Sequence, residues 1–136
     1  MGQVVPNAIE DEVLNGQLNQ ALTIRLYGNN VTPSGSTVAG SLTEIAGGAY
    51  AAKALLFANW GISSGTPAQA VYNAIQVWNF TGPINAPGTI YGYYVTRNID
   101  GKIVWVERFP SGVVPFSPIV GSKVQVLPRY TVSSQF

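Results

Sequence analysis

Two stretches decide the fold, Thr89-Ile90-Tyr91-Gly92-Tyr93-Tyr94-Val95-Thr96-Arg97 and Lys102-Ile103-Val104-Trp105-Val106-Glu107-Arg108-Phe109, joined by Asn98-Ile99-Asp100-Gly101. Both are rich in β-branched and aromatic residues, the side chains that fit a pleated, half-buried surface. The junction is a hairpin turn, with Gly101 suited to a left-handed bulge position. Alternation in this first arm places Tyr91 and Tyr93 on one face and Tyr94 on the other.

Working outward, the same signature recurs. In 20–27, Leu22, Ile24 and Leu26 alternate with Thr23, Arg25 and Tyr27, as in a half-buried strand. Further strands are expected over 49–57, 71–80 and 122–132, separated by clusters of Gly, Pro, Asn and Ser. Asn59-Trp60-Gly61 closes the first of these, and Pro128 marks the last as an edge or a bulge. The polar connection 31–48 is long for a compact domain, with Leu42 and Ile45 available to pin it. The three prolines of 110–121 make that segment a loop or edge. No helical period recurs between strands, so a parallel βαβ fold is excluded. The expected architecture is all-β: an antiparallel β-sandwich, jelly-roll-like, over 20–136, preceded by a short N-terminal helix or arm over 1–19. Asn7 is a fitting cap for that helix, and Glu10, Asp11 and Glu12 suit its first turn.

Composition bounds the chemistry. The 136 residues include no Cys and no His, and only 10% are charged, against about 25% in an ordinary soluble domain. Thiolate metal sites, disulfides, thiol nucleophiles and imidazole bases are absent together. Nothing sets Lys53, Lys102 or Lys123 beside a chosen serine. Glu44, Asp100 and Glu107 are too scattered for paired-carboxylate hydrolysis, and Glu107 has Arg97 and Arg108 as expected ion-pair partners. Gly35 and Gly47-Gly48 lack the spacing of a phosphate loop. No enzymatic activity, metal or cofactor is expected. The net charge is +1, and half of the six acids stand at Glu10, Asp11 and Glu12. The body is thus weakly basic, too weakly for a nucleic-acid face, and no stretch suits a signal peptide or a membrane span.

Aromatics make up 11% of the chain. On strands they fill cores and cross-strand pairs, so Trp78 and Trp105 are expected inside. The alternative is a platform for sugars, with Trp60 and Tyr91 as its test residues. Tyr is also enriched at protein interfaces, having an apolar body and a polar tip.

Several phrases resemble those of small tailed-bacteriophage virion proteins. Leu26-Tyr27-Gly28-Asn29-Asn30-Val31-Thr32-Pro33 is similar to an opening "L-Y-x-N-N-V-T-P". Gly47-Gly48-Ala49-Tyr50-Ala51-Ala52-Lys53-Ala54-Leu55 resembles a "G-G-Y-A-A-K-x-L" block, with Ala49 as an extra residue. Phe80-Thr81-Gly82, Ile90-Tyr91-Gly92-Tyr93-Tyr94-Val95 and the run from Asp100 to Phe109 continue the likeness in order, over 20–132. The resemblance implies a virion structural protein, made in the host cytoplasm. A β-sandwich of this size in a virion is most like a capsid decoration or cement protein, on the capsid surface. Its expected partners are the major capsid protein and copies of itself, as a homotrimer, with neither nucleic acid nor membrane. The alternative is a receptor- or carbohydrate-binding module, or adaptor, of the tail or fibre. Expected interface residues are Glu10, Asp11, Glu12, Tyr91, Tyr93, Val113, Pro115 and Phe116. Loops 31–48 and 110–121 and both chain ends are the expected docking parts.

Overall fold

The computed structural model describes residues 16, 18–63 and 68–132. They fold as an all-β, antiparallel structure of three sheets. The first has the order β2 (Lys53–Leu55), β1 (Leu22–Tyr27), β6 (Gly92–Arg97), β7 (Ile103–Arg108). The second joins β3 (Trp60–Ser63), β4 (Ala68–Tyr72) and β9 (Arg129–Val132), and the third pairs β5 (Gln76–Asn79) with β8 (Lys123–Val126). Two single-turn 3-10 helices, Ala39–Ser41 and Phe57–Asn59, interrupt the connections.

The deciding hairpin forms as expected. β6 and β7 pair from Gly92↔Arg108 to Thr96↔Ile103, with one bulge between Val95 and Thr96. At the turn Gly101 has φ +72, its N–H donates to the Arg97 carbonyl at 2.7 Å, and Asp100 Oδ1 accepts from the Lys102 N–H at 3.1 Å. On β1, Leu22, Ile24 and Leu26 are buried, as their period-2 spacing requires. They meet Tyr93 and Val95 of β6, Ala70 and Tyr72 of β4, Trp78 of β5, and Val124 and Val126 of β8 in one hydrophobic cluster. Each such side chain contributes about 1.5–3 kcal/mol by leaving water. Leu18 lies in the same cluster, fully buried.

Four expectations are corrected. Of 49–57 only Lys53–Leu55 is strand, and Ala54 on it is exposed. Gly47, Gly48 and Ala49 all have positive φ (89, 60 and 69), so the chain turns there instead of extending. Asn59-Trp60-Gly61 does not close a strand; Trp60 opens β3. The stretch 71–80 is two strands in different sheets, parted at 73–75. So is 122–132: Val124 and Val126 face the core in one sheet, and Tyr130 lies in another. Pro128 lacks an N–H for a ladder, and its buried ring and carbonyl, which accepts from the Tyr72 N–H at 2.9 Å, carry the chain across. The N-terminal helix expected over 7–18 lies outside the described residues except Gly16 and Leu18, which have helical backbone.

The second face of the four-stranded sheet is also covered. Tyr27, Leu42 and Tyr94 are buried there, packed with Val31, Tyr91, Ile103 and Val106. The cover is the connection after β1. The Gly28 N–H donates to the Thr43 carbonyl at 2.8 Å, and the Ile45 N–H to the Leu26 carbonyl at 3.1 Å. Arg25 Nη1 donates to Glu44 Oε1 at 3.0 Å, and Tyr50 Oη donates to Glu44 Oε2 at 2.7 Å while accepting from the Leu26 N–H at 3.1 Å. Leu42 and Ile45 do pin the segment, as expected, and they pin it to its own sheet.

Gly92 is the tightest point. A Cβ there would overlap the Glu107 carbonyl oxygen and stand 2.6 Å from Tyr27 Cε1. Gly92→Ala is expected to lower stability by about 1–3 kcal/mol in denaturant unfolding, the usual cost of overpacking. Gly40→Ala, with nothing within 4 Å of the new Cβ, should stay within about 0.5 kcal/mol of the parent chain.

Candidate functional site

A groove runs along the border of β8, which among the described residues pairs only with β5, beside β7, which among them pairs only with β6. One end is an apolar hollow of about 290 Å3 lined by Phe109, Pro110, Val113, Phe116, Lys123, Val124 and Gln125. The other, also about 290 Å3, is lined by Tyr93, Glu107, Phe109, Gln125, Val126, Leu127 and Arg129. Phe109 and Gln125 line both, so the two hollows adjoin.

Each wall has a local cause. The 110–121 loop is fixed to the sheet by an antiparallel bridge between Ile90 and Phe116, with N–H to carbonyl distances of 2.8 and 3.1 Å. Its first turn closes by the Val113 N–H donating to the Pro110 carbonyl at 2.8 Å, and the peptide bond from Val114 to Pro115 is cis. Downstream, Ile119 and Ser122 bond each other, and Phe80 accepts from the Gly121 N–H and donates to the Ser122 carbonyl. This places β8 with Lys123 and Gln125 outward and Val124 and Val126 inward, by plain alternation.

The floor of the second hollow is a chain of polar groups. Trp105 Nε1 donates to Tyr93 Oη at 3.2 Å, and Tyr93 Oη donates to Glu107 Oε1 at 2.8 Å. Phe109 lies tilted on the Tyr93 ring at 6.1 Å. Trp105 stacks on Tyr130 (4.9 Å, 14°) and takes an edge contact with Trp60 (6.0 Å, 71°), which in turn meets Tyr72 edge-on at 5.0 Å. Trp60 Nε1 is buried without a hydrogen-bond partner among the described residues. These rings cover one another, and Trp78 is buried with its Nε1 donating to the Ala51 carbonyl at 2.8 Å. Trp78 is therefore inside, as expected, and Trp105 is half-buried.

Of the expected interface residues, Val113 and Phe116 line the first hollow, with exposed Pro115 adjoining Phe116 in the loop, whereas Tyr93 borders the second hollow from the core, where it is buried. Tyr91 does not join them. It packs with Tyr27 and Tyr94 on the opposite face, under the Arg108 guanidinium at 5.0 Å, so it does not share Tyr93's side. Arg108 is held there by Asn30 Oδ1 (2.8 Å) and the Val31 carbonyl (3.1 Å). Glu10, Asp11 and Glu12 lie outside the described residues. Glu107 pairs with neither arginine expected for it: Arg97 bonds Asp100 instead, pulling that exposed carboxyl below its ordinary pKa. Phe109, Gln125 and Arg129 were not singled out from the sequence. The alternation of 122–126 does carry the signal, since it sets Gln125 on the outward face beside Lys123.

Among the described residues no three of His, Cys, Asp and Glu stand close enough to hold a metal, and no helix is long and apolar enough to cross a membrane. No family model, curated protein or solved structure matches the chain.

Burial raises the pKa of several tyrosines on both faces. For Tyr93 burial leads, with the Trp105 N–H opposing and Glu107 adding. For Tyr94 burial leads and the nearby Glu44 adds, moving it from 10.0 to about 12, with Arg25 opposing. Tyr27, Tyr50 and Tyr130 are raised by burial first as well. A folded-state pKa above the unfolded value means that the stability is complete below about pH 10 and is lost as pH rises through the folded values. The melting temperature should hold from about pH 7 to 9 and fall steeply above about pH 10. A flat profile to about pH 12 would show that these hydroxyls are not desolvated.

Proposed function

We propose that this chain is a bacteriophage virion structural protein, a decoration or cement protein that binds the outer capsid shell as a trimer and stabilises it without chemistry of its own. The observation that carries the reading is a run of exposed apolar side chains bordering the groove segments: Val113 (51%), Ile119 (65%), Val120 (76%) and Leu127 (38%). Four of the nine exposed large apolar side chains among the described residues lie on this stretch, the others being Val38, Leu56, Phe57, Ile75 and Ile99, and exposed apolar groups beside a groove favour association. The groove beside them is walled by strands whose outer edges have no partner among the described residues, and such edges accept further chain. Few charges need desolvation on docking, so the cost of burial is low. On a shell with many equivalent positions, a modest affinity per contact multiplies. The sequence phrases resembling small phage virion proteins agree with this reading.

The 28–46 connection is not a docking part in this reading, because Val31, Leu42 and Ile45 pack on its own sheet and its ends are hydrogen-bonded to β1, with Val38 its one large apolar side chain left exposed. The aromatics are not a sugar platform either, since Trp60, Trp105 and Tyr130 face one another and Tyr91 lies under Arg108. Quantitative proteomics of purified particles from a phage encoding the chain tests the assignment. A copy number comparable with that of the major shell protein is expected, and particles lacking the chain should release their genome at lower temperature. A handful of copies per particle, or binding to a glycan array abolished by Trp60→Ala, would move the protein to the tail.

A further inference from the structure

Seven cations serve this chain, and the structure engages most of them internally. Arg25 is paired with Glu44 and Arg97 with Asp100. Arg108 is bonded to Asn30 and lies over Tyr91, Lys53 lies over Trp78, and Lys102 stands in the field of Asp100. Lys123 and Arg129 remain. Neither makes a hydrogen bond or ion pair with a described side chain, both are exposed, and they line the two ends of the β8 groove. Between them the walls are apolar or neutral apart from Glu107, whose Oε1 accepts from Tyr93. The groove thus offers two exposed cations with no hydrogen bond or ion pair to a described side chain, Lys123 beside the apolar hollow and Arg129 in the second hollow, where its charge acts on Tyr93.

The chain contains one segment of matching chemistry. Glu10-Asp11-Glu12 concentrates half of all acids and is flanked by Ile9, Val13 and Leu14. Its own groove is at the limit of reach. Asn19 and Gln20 lie beside Leu56, Phe57 and Asn98, at the Leu22↔Arg97 end of the sheet. Phe109 and Lys123 lie past the other end, beyond the Gly92↔Arg108 row. Those rows are about 17 Å apart along the strands, with two strand spacings of about 4.8 Å each to cross as well. Seven residues from Glu12 to Asn19 span about 23 Å if fully extended, and Gly16 and Leu18 are helical, which shortens the span.

We infer that the acidic N-terminal segment of one copy docks in the β8 groove of a second copy, with Glu10, Asp11 and Glu12 against Lys123 and Arg129 and its apolar flank in the hollow formed by Phe109, Val113 and Phe116. This rests on the self-association part of the function proposed above, and names the contact that produces it. The contact is electrostatic at an exposed border, so it weakens with salt.

Sedimentation velocity of the full chain over a concentration series, at low and high salt, tests it. The parent chain is expected to associate at low salt and to do so less at high salt. Reversing the segment (Glu10→Lys, Asp11→Lys, Glu12→Lys) or the groove (Lys123→Glu, Arg129→Glu) should each weaken association about tenfold or more. A chain carrying both sets should regain it. Lys123→Gln with Arg129→Gln serves if the groove reversal does not fold. Association unchanged by either reversal overturns the contact and leaves shell binding, read separately by co-sedimentation with capsids, still standing. Failure of the doubly reversed chain to regain association, with circular dichroism and melting temperature at parent values, also overturns it. A parent chain monomeric at every concentration removes both the contact and the trimer.

Discussion

The pairing of β1 with β6 is the constraint on which the rest of the structure depends. Six rows join them, from Leu22↔Arg97 to Tyr27↔Gly92, and the sheet is buried on both sides of that ladder. A strand pair covered on both faces has to bring its own lids. The inner lid is the two smaller sheets, which contribute Ala70, Tyr72, Trp78, Val124 and Val126. The outer lid is the connection 28–46, anchored by Arg25, Glu44 and Tyr50 around the Leu26 N–H. Gly92 makes the second lid fit, because only a missing side chain lets the Tyr27 ring and the β7 backbone approach so closely.

This has a consequence for where function sits. The face of a sheet is the usual place for a β-protein to bind, and here both faces of the largest sheet are occupied by the chain itself. What stays open is edges: among the described residues β7 and β8 each lack a second neighbour, as do β2, β3, β5 and β9, and at the border of β7 and β8 the 110–121 loop adds Val113 and Phe116. Polar groups along that border are held in place by the Trp105–Tyr93–Glu107 hydrogen bonds, so the groove is preformed. A preformed groove loses little conformational freedom on association.

Much of this was legible in the sequence. Alternation located β1 and the β6–β7 hairpin, and the Asp100-Gly101 turn set their register. The prolines of 110–121 marked that segment as a loop or edge, and it is a loop bridged to the sheet only at Phe116 among the described residues. The failures share a physical origin. The apolar run at 71–80 gives no sign of where the chain leaves one sheet for another, since Tyr72 and Trp78 on either side of the break are both buried, and at 49–57 the period-free apolar run does not show the turn at 47–49. Strict alternation put Tyr91 with Tyr93. The tight packing at Gly92, where the ladder stops, sends Tyr91 to the other side. The acid pairs failed because Arg97 is claimed locally by Asp100, three residues on, before Glu107 can compete.

The account claims that the border of β8, and not the face of the large sheet, is what this protein offers to its assembly. Hydrogen–deuterium exchange, comparing the free chain with the chain mounted on capsid shells, tests this most directly. New protection is predicted over 109–116 and 122–129, with 28, 41–43 and 45 unchanged because the N–H groups of Gly28, Ser41, Leu42, Thr43 and Ile45 are already bonded in the free chain. New protection confined to 28–46, with 109–129 exchanging as in the free chain, would contradict it.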